Sequence, residues 1–203
     1  MKFFKAILTT ALSFWMMQSS AQMPLEALRN MFDGSAVSIE CDYTTEIQQT
    51  QVAGRSEIIV QGNMYTMKGN GLEVYCDGNT VWTIDAAAQE VVIEPCSPQE
   101  RDYMANPALL LADIDDVFKM SGSRSSGSGR VEYTMDSAVR CGISKAVLVL
   151  AQDGMIISAD FNLDEGGNLK VNVSSMKKTE EKQASFFSPD RKFDSDWIVT
   201  DLR

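Results

Sequence analysis

Four cysteines, one acidic run and a complete lack of histidine decide what chemistry this chain can offer. Without His there is no Ser-His-Asp or Cys-His nucleophile and no imidazole ligand for a metal. Cys41, Cys76, Cys96 and Cys141 form no C-x-x-C, the close ligand pairing a zinc site ordinarily uses. Four cysteines allow three disulfide pairings. Cys41 and Cys76 fall inside apolar strand patterns and read as core thiols, whereas Cys96 and Cys141 fall at loop ends and are the favoured pair. The run "DIDD", Asp113 to Asp116, is the obvious place to seek carboxylate acid–base chemistry. It lacks the D-x-D-x-D-G-x5-E pattern of a calcium loop, and a solvated run between helix and strand is the simpler account. The chain also lacks G-x-x-x-x-G-K and G-x-S-x-G. No catalytic residue, cofactor or metal is expected.

The elements around these residues start with a leader. Lys2 and Lys5 precede an apolar run to about Met17, followed by "SSA", which predicts a signal peptide over 1–21 with cleavage after Ala21. The apolar run is shorter than the ~20 residues a membrane helix needs. The remaining residues, 22–203, suffice for one domain with a full core. The net charge of −10 becomes more negative still once Lys2 and Lys5 are removed, which argues against a nucleic-acid partner.

"MPLEALRNMF" places Leu25, Leu28 and Phe32 at helical spacing, with Pro24 in the first turn and Gly34 after the end. The period then changes to two. Val37, Ile39, Cys41 and Tyr43 share one strand face, and Leu72, Val74 and Cys76 share another. "TVWTID" and "EVVIE" continue a meander, because the connections are too short for crossovers. "NPALLLADIDD" breaks the alternation and predicts a short helix that is apolar all round. Strand fragments return on both sides of the Ser/Gly-rich loop 121–129. In "QDGMIISADFNL" the alternation groups Met155, Ile157, Ala159, Phe161 and Leu163. "EKQASFFSPD" and "DWIVTDLR" are candidate edge strands. The expectation is mainly β: about ten antiparallel strands, a sheet that must curl as twist accumulates, and short helices over one face.

"GNMYTMK", "DGNTVWTIDAAAQEVVIE", "NPALLLADIDDVF" and "QDGMIISADF" follow one another in an order that resembles the periplasmic outer-membrane lipoprotein carrier family (LolA-like). The resemblance spans roughly residues 35–175, and "FFSPD" matches the family's closing strand loosely. It implies an incomplete, half-open antiparallel β-barrel of about ten or eleven strands with a lid of short α-helices. It also implies a periplasmic chaperone, a monomer that shields the acyl chains of lipoproteins in an apolar cavity. Such a carrier takes acylated lipoproteins from an inner-membrane lipoprotein-releasing transporter and hands them to an outer-membrane receptor. The alternative is a sensor or adaptor of the same fold that binds lipoprotein or apolar peptide and regulates a membrane partner.

On this reading Met64, Val74, Trp82, Ile84, Ile157 and Phe161 line the cavity, and Leu109, Leu110 and Leu111 form the lid helix. Leu25 and Leu28 close the lid from the first helix. Better-known members carry an Arg that ties sheet to lid where this chain has Lys68, a point charge without the guanidinium fork. The cysteines and the Ser/Gly loop lie outside the family pattern.

Overall fold

The computed structural model describes residues 24–47, 50–96, 103 and 106–203. The leader expected over 1–21 lies outside these residues. Helix α1 (24–32) comes first. Six strands follow: β1 (Ala36–Ile47), β2 (Thr50–Gln61), β3 (Met64–Gly69), β4 (Leu72–Cys76), β5 (Thr80–Asp85) and β6 (Glu90–Pro95). Two short helices, α2 (Pro107–Ala112) and α3 (Ile114–Val117), precede β7 (Phe118–Ser125), β8 (Val131–Ser137), β9 (Ile143–Leu150), β10 (Ile156–Leu163) and β11 (Asn168–Thr179). A 3-10 turn (Ala184–Phe187) and β12 (Ile198–Asp201) complete the chain.

All twelve strands form one sheet in the order β12-β6-β5-β4-β3-β2-β1-β11-β10-β9-β8-β7. Tight turns build most of it. Asn70 and Gly71, with φ of 51° and 81°, link β3 to β4. Positive φ at both central positions is what a two-residue type I′ hairpin requires, and Asn-Gly is its preferred sequence. The pairing of β1 with β11, from Ala36↔Thr179 to Glu46↔Asn168, joins the two meanders. Strands β7 and β12 remain as edges, so the barrel is half-open.

The helices lie on one face. Leu25 and Leu28 of α1 and Ile114 and Val117 of α3 share a buried cluster with Val37, Ile39, Tyr133, Leu148 and Met176 of the sheet. Ala108 of α2 joins a second cluster with Val60, Tyr65, Val74, Cys76 and Val81, and Phe32 packs against both. The chain is thus mainly β, a half-open antiparallel barrel with a lid of short helices, as expected. The C-terminal segments differ from expectation. "SFF" forms a 3-10 turn instead of a strand, and β12 runs parallel to β6.

The β9–β10 turn shows how closely the lid is seated. Gly154 has φ +84°, and a Cβ there would run into the backbone of Ala27 and Leu28. The "DG" turn therefore supplies both a left-handed residue and the bare surface on which α1 rests. Gly154→Ala should destabilise the protein by more than about 1 kcal/mol, since it adds a backbone clash to the strained φ. The checks are urea denaturation and limited trypsinolysis, in which cleavage after Arg29 should accelerate as α1 undocks.

Candidate functional site

Strand parity divides the residues expected to line a cavity into two groups. In β2 to β5 the pairs Val60↔Tyr65, Met67↔Val74 and Cys76↔Val81 point toward the helices. The alternate pairs Thr66↔Tyr75, Tyr75↔Trp82 and Trp82↔Ile93 point away. Val74 thus lies under the lid, but Trp82 and Ile84 do not share its wall. They pack with Tyr75, Val91 and Ile93 on the opposite face, against Phe193 and Trp197. Met64, paired with Gln61, is also one step out of phase with the inward Tyr65. Phe161 packs against the lid-side cluster. Ile157 is displaced from it by a register shift between Ile156 and Ser158, and Ile156 takes the buried position instead. A β-bulge of this kind inverts the alternation on which the sequence reading relied.

The lid itself is well formed. Leu25 and Leu28 are 6% and 2% exposed, whereas Leu110 and Leu111 are only partly buried against the same cluster. Leu109 lies in α2, but its side chain is outside the described residues. The acidic run serves the lid. Asp115 of α3 accepts a hydrogen bond from Arg29 of α1, and Asp113 accepts one from Tyr103 at 3.1 Å. Its carboxylates thus link lid elements to one another. Among the described residues no group of three His, Cys, Asp or Glu side chains is placed to hold a metal ion. No helix among them is long and apolar enough to cross a membrane.

Lys68 does not reach the lid. It pairs with Glu57 and Glu73 on the outer face, where its ammonium is 3.6 Å from Glu73 Oε2 and 5.6 Å from the Tyr75 ring centre. There it joins a strap made by the C-terminal segment. Arg191 donates to Glu73 Oε1 at 2.8 Å and stands over Trp197, while Tyr75 Oη donates to Glu73 Oε2 at 2.8 Å. Phe193 and Trp197 meet edge-to-face at 5.1 Å. Upstream, Gln61 exchanges two hydrogen bonds with the Lys182 backbone. A cleft of about 790 Å3 runs between strap and sheet, lined by charged residues of both signs with Tyr75 and Phe186. Sequence reasoning missed this strap. Its signal was the pair of adjacent apolar residues in "VYC" and "VW", which gives β4 and β5 two apolar faces and hence a need for two covers.

All four cysteines are free and buried, so Cys96 and Cys141, the favoured pair, are not joined. Cys141 bonds to Ser137 and the Ile143 carbonyl, while Cys96 sits beside Cys76 in the other cluster. The Cys96–Cys141 pairing is therefore replaced by a different neighbourhood. Loop-end position along the chain does not say which ends the sheet brings together.

No protein-family model and no curated protein matches the sequence. Solved structures do resemble it. A protein from Thermus thermophilus of uncharacterised function superposes with a TM-score of 0.54 at 12% identity, covering 90% of this chain and 99% of that one. A LolA superfamily protein from Nitrosomonas europaea gives 0.46 at 15% identity, covering 84% and 98%. A candidate outer membrane lipoprotein-sorting protein domain from Vibrio parahaemolyticus gives 0.43 at 10% identity, covering 82% and 97%. At these identities the likeness is one of fold.

The strap depends on pH through Glu73. Burial pushes its carboxyl up, but hydrogen bonds from Tyr75 and Arg191 and the charges of Arg191 and Lys68 outweigh this and hold it below its ordinary value of 4.5. A lowered folded value means stability that is present above that ordinary value and lost as pH falls through the folded one. Glu73→Gln should lower the Tm by about 2–4 °C at neutral pH, the scale of ~1 kcal/mol for a part-exposed charge-assisted network. As the pH falls below 4.5 the difference in Tm between variant and parent should shrink. Thermal melts followed by tryptophan fluorescence over a descending pH series are the check.

Proposed function

We propose that this protein is an exported, periplasmic carrier that binds the acyl chains of lipoproteins between lid and sheet. It would receive them from an inner-membrane lipoprotein-releasing transporter and surrender them to an outer-membrane receptor. The single observation that carries this reading is the lid: short helices hold a continuous apolar face closed with side chains of their own. Leu25, Leu28, Ile114 and Val117 are buried there, with Leu110, Leu111, Met155 and Phe161 partly buried at its margin.

Magnitudes favour an exchange. Uncovering four buried aliphatic side chains costs about 6–12 kcal/mol at roughly 1.5–3 kcal/mol each. An acyl chain of about 16 carbons recovers ~0.8 kcal/mol per methylene, roughly 12 kcal/mol in all. One or a few chains therefore offset lid opening without making release prohibitive. The lid residues fill the face when it is empty, so ligand entry requires the helices to swing aside. Met31, Met155 and Met67 at its margin supply adaptable packing.

Two measurements test this. Leu110→Asp should weaken binding of an environment-sensitive apolar dye at least tenfold, while Trp82→Ala, on the opposite face, should leave it unchanged. Circular dichroism would confirm that both variants keep the sheet. Equal dye binding by folded Leu110→Asp would sink the lid assignment. Incubated with spheroplasts, the mature protein should release lipoproteins into solution in complex with itself. Binding of lipopeptide without any release would instead favour an adaptor that senses lipoprotein.

A further inference from the structure

Two buried thiols meet at one corner of the sheet. Cys76 ends β4 and Cys96 follows β6, and both belong to the cluster beneath α2. Asn106 gathers them. Its Nδ2 lies 3.7 Å from Cys96 Sγ and 3.9 Å from Cys76 Sγ and donates to the Asn63 carbonyl at 3.0 Å. Its own carbonyl accepts the Leu110 N–H at 3.3 Å, so the same residue holds the first turn of α2. The Cys96 N–H donates to the Asn79 carbonyl at 2.7 Å, which fixes the second thiol against the β4–β5 turn. Cys41 and Cys141 lie elsewhere. Cys41 sits within β1, and Cys141 is engaged by Ser137 and Ile143.

We propose that Cys76 and Cys96 are a modification site, a dithiol that closes to a disulfide when the protein meets an oxidising disulfide, with Cys41 and Cys141 remaining thiols. The Cys96 thiolate attacks one sulfur of the oxidant, breaking its S–S bond, forming a mixed disulfide and releasing one thiol. Cys76 loses its proton and attacks the Cys96 sulfur of the mixed disulfide, releasing the second thiol. The cysteine pair thereby loses two electrons and two protons, and the oxidant leaves as two thiols. The order follows from burial. Cys76 is wholly buried, and burial together with its Cys96 neighbour pushes its thiol up to about 12, so it is the poorer first nucleophile.

The closed pair would staple the end of β4 to the end of β6 across β5, under the residue that anchors α2. The floor of the lid would then stay fixed while the helices above it move. The proposal rests on the export reading only for the presence of an oxidant in the protein's compartment, and a test in purified components separates the two.

The full mature protein, unfolded in denaturant, is refolded with glutathione disulfide, alkylated, digested and analysed by mass spectrometry. The expected result is a mass lower by about 2 Da before alkylation, one linked peptide pair containing Cys76 and Cys96, and alkyl groups on Cys41 and Cys141. The oxidised protein should melt about 5–10 °C above the reduced one, as expected for a closed loop of about 20 residues. Cys96→Ser should abolish both effects, and the Cys41→Ala/Cys141→Ala variant should retain them. Alkylation of all four thiols after oxidation overturns the proposal, as does a link from Cys96 to Cys41 or Cys141. Dye binding measured on the same oxidised and reduced samples reports on the carrier reading independently of the cross-link.

Discussion

The ladder between β1 and β11 is the interaction on which the rest of the molecule depends. Each meander is local: β2 to β6 and β7 to β10 pair with their neighbours in sequence through short turns. The cluster beneath the lid helices draws on both. Pairing Ala36–Glu46 with Asn168–Thr179 makes one twelve-stranded sheet of them. It also places α1, which immediately precedes β1, over Tyr133 and the Gly154 turn of the second meander. A lid helix attached to one half of the sheet is thus seated on the other. The bulge at Ser174 of β11, opposite Glu40 and Cys41, lets that long strand bend without giving up the pairing on either side.

A sheet of this width has two faces to manage, and the protein treats them differently. The lid face is covered by short helices whose side chains fill it, held to one another by Arg29–Asp115 and to the sheet by Asn106. The outer face of β4 to β6 is covered by a strap with aromatic packing, a parallel strand and a salt-bridged carboxylate. Short helices can be displaced as units, because few of their backbone groups bond to the sheet. The strap is tied through main-chain bonds such as Ile198 to Gln89 and Leu202 to Ile93, and it behaves as part of the frame. The division separates the part proposed to open from the part that must not.

Much of this was legible in the residues. Alternation placed Val37, Ile39, Cys41 and Tyr43 on one face of β1, and "PALLL" after Asn106 marked a short helix with Pro in its first turn. What alternation provides is relative parity. It could say that Trp82 and Ile84 share a side, but not that this side is turned away from the helices, because β4 and β5 are apolar on both. Lys68 was misplaced for the same reason, lying one residue from the inward Met67. Ile157 failed because a bulge leaves no mark in hydrophobic periodicity. The cysteine neighbourhood was hidden in topology: Cys76 and Cys96 become adjacent only once β5 is laid between their strands and α2 folds back over them.

The strap has a consequence for the order of assembly. Hairpins β3–β4 and β5–β6 need only neighbouring residues and can form early, since local contacts close fastest. As they form they display Tyr75, Trp82, Ile84, Val91 and Ile93 on a bare surface, with β6 as an open edge. The cover comes from Phe193, Trp197 and β12, which are synthesised after the eleven other strands. Until it docks, the chain carries an aromatic patch beside an unpaired strand, the combination that invites another chain to add on. This is a hazard in time more than in structure. The interval between the first hairpins and the arrival of Trp197 is when the protein most needs dilution or a chaperone of its own.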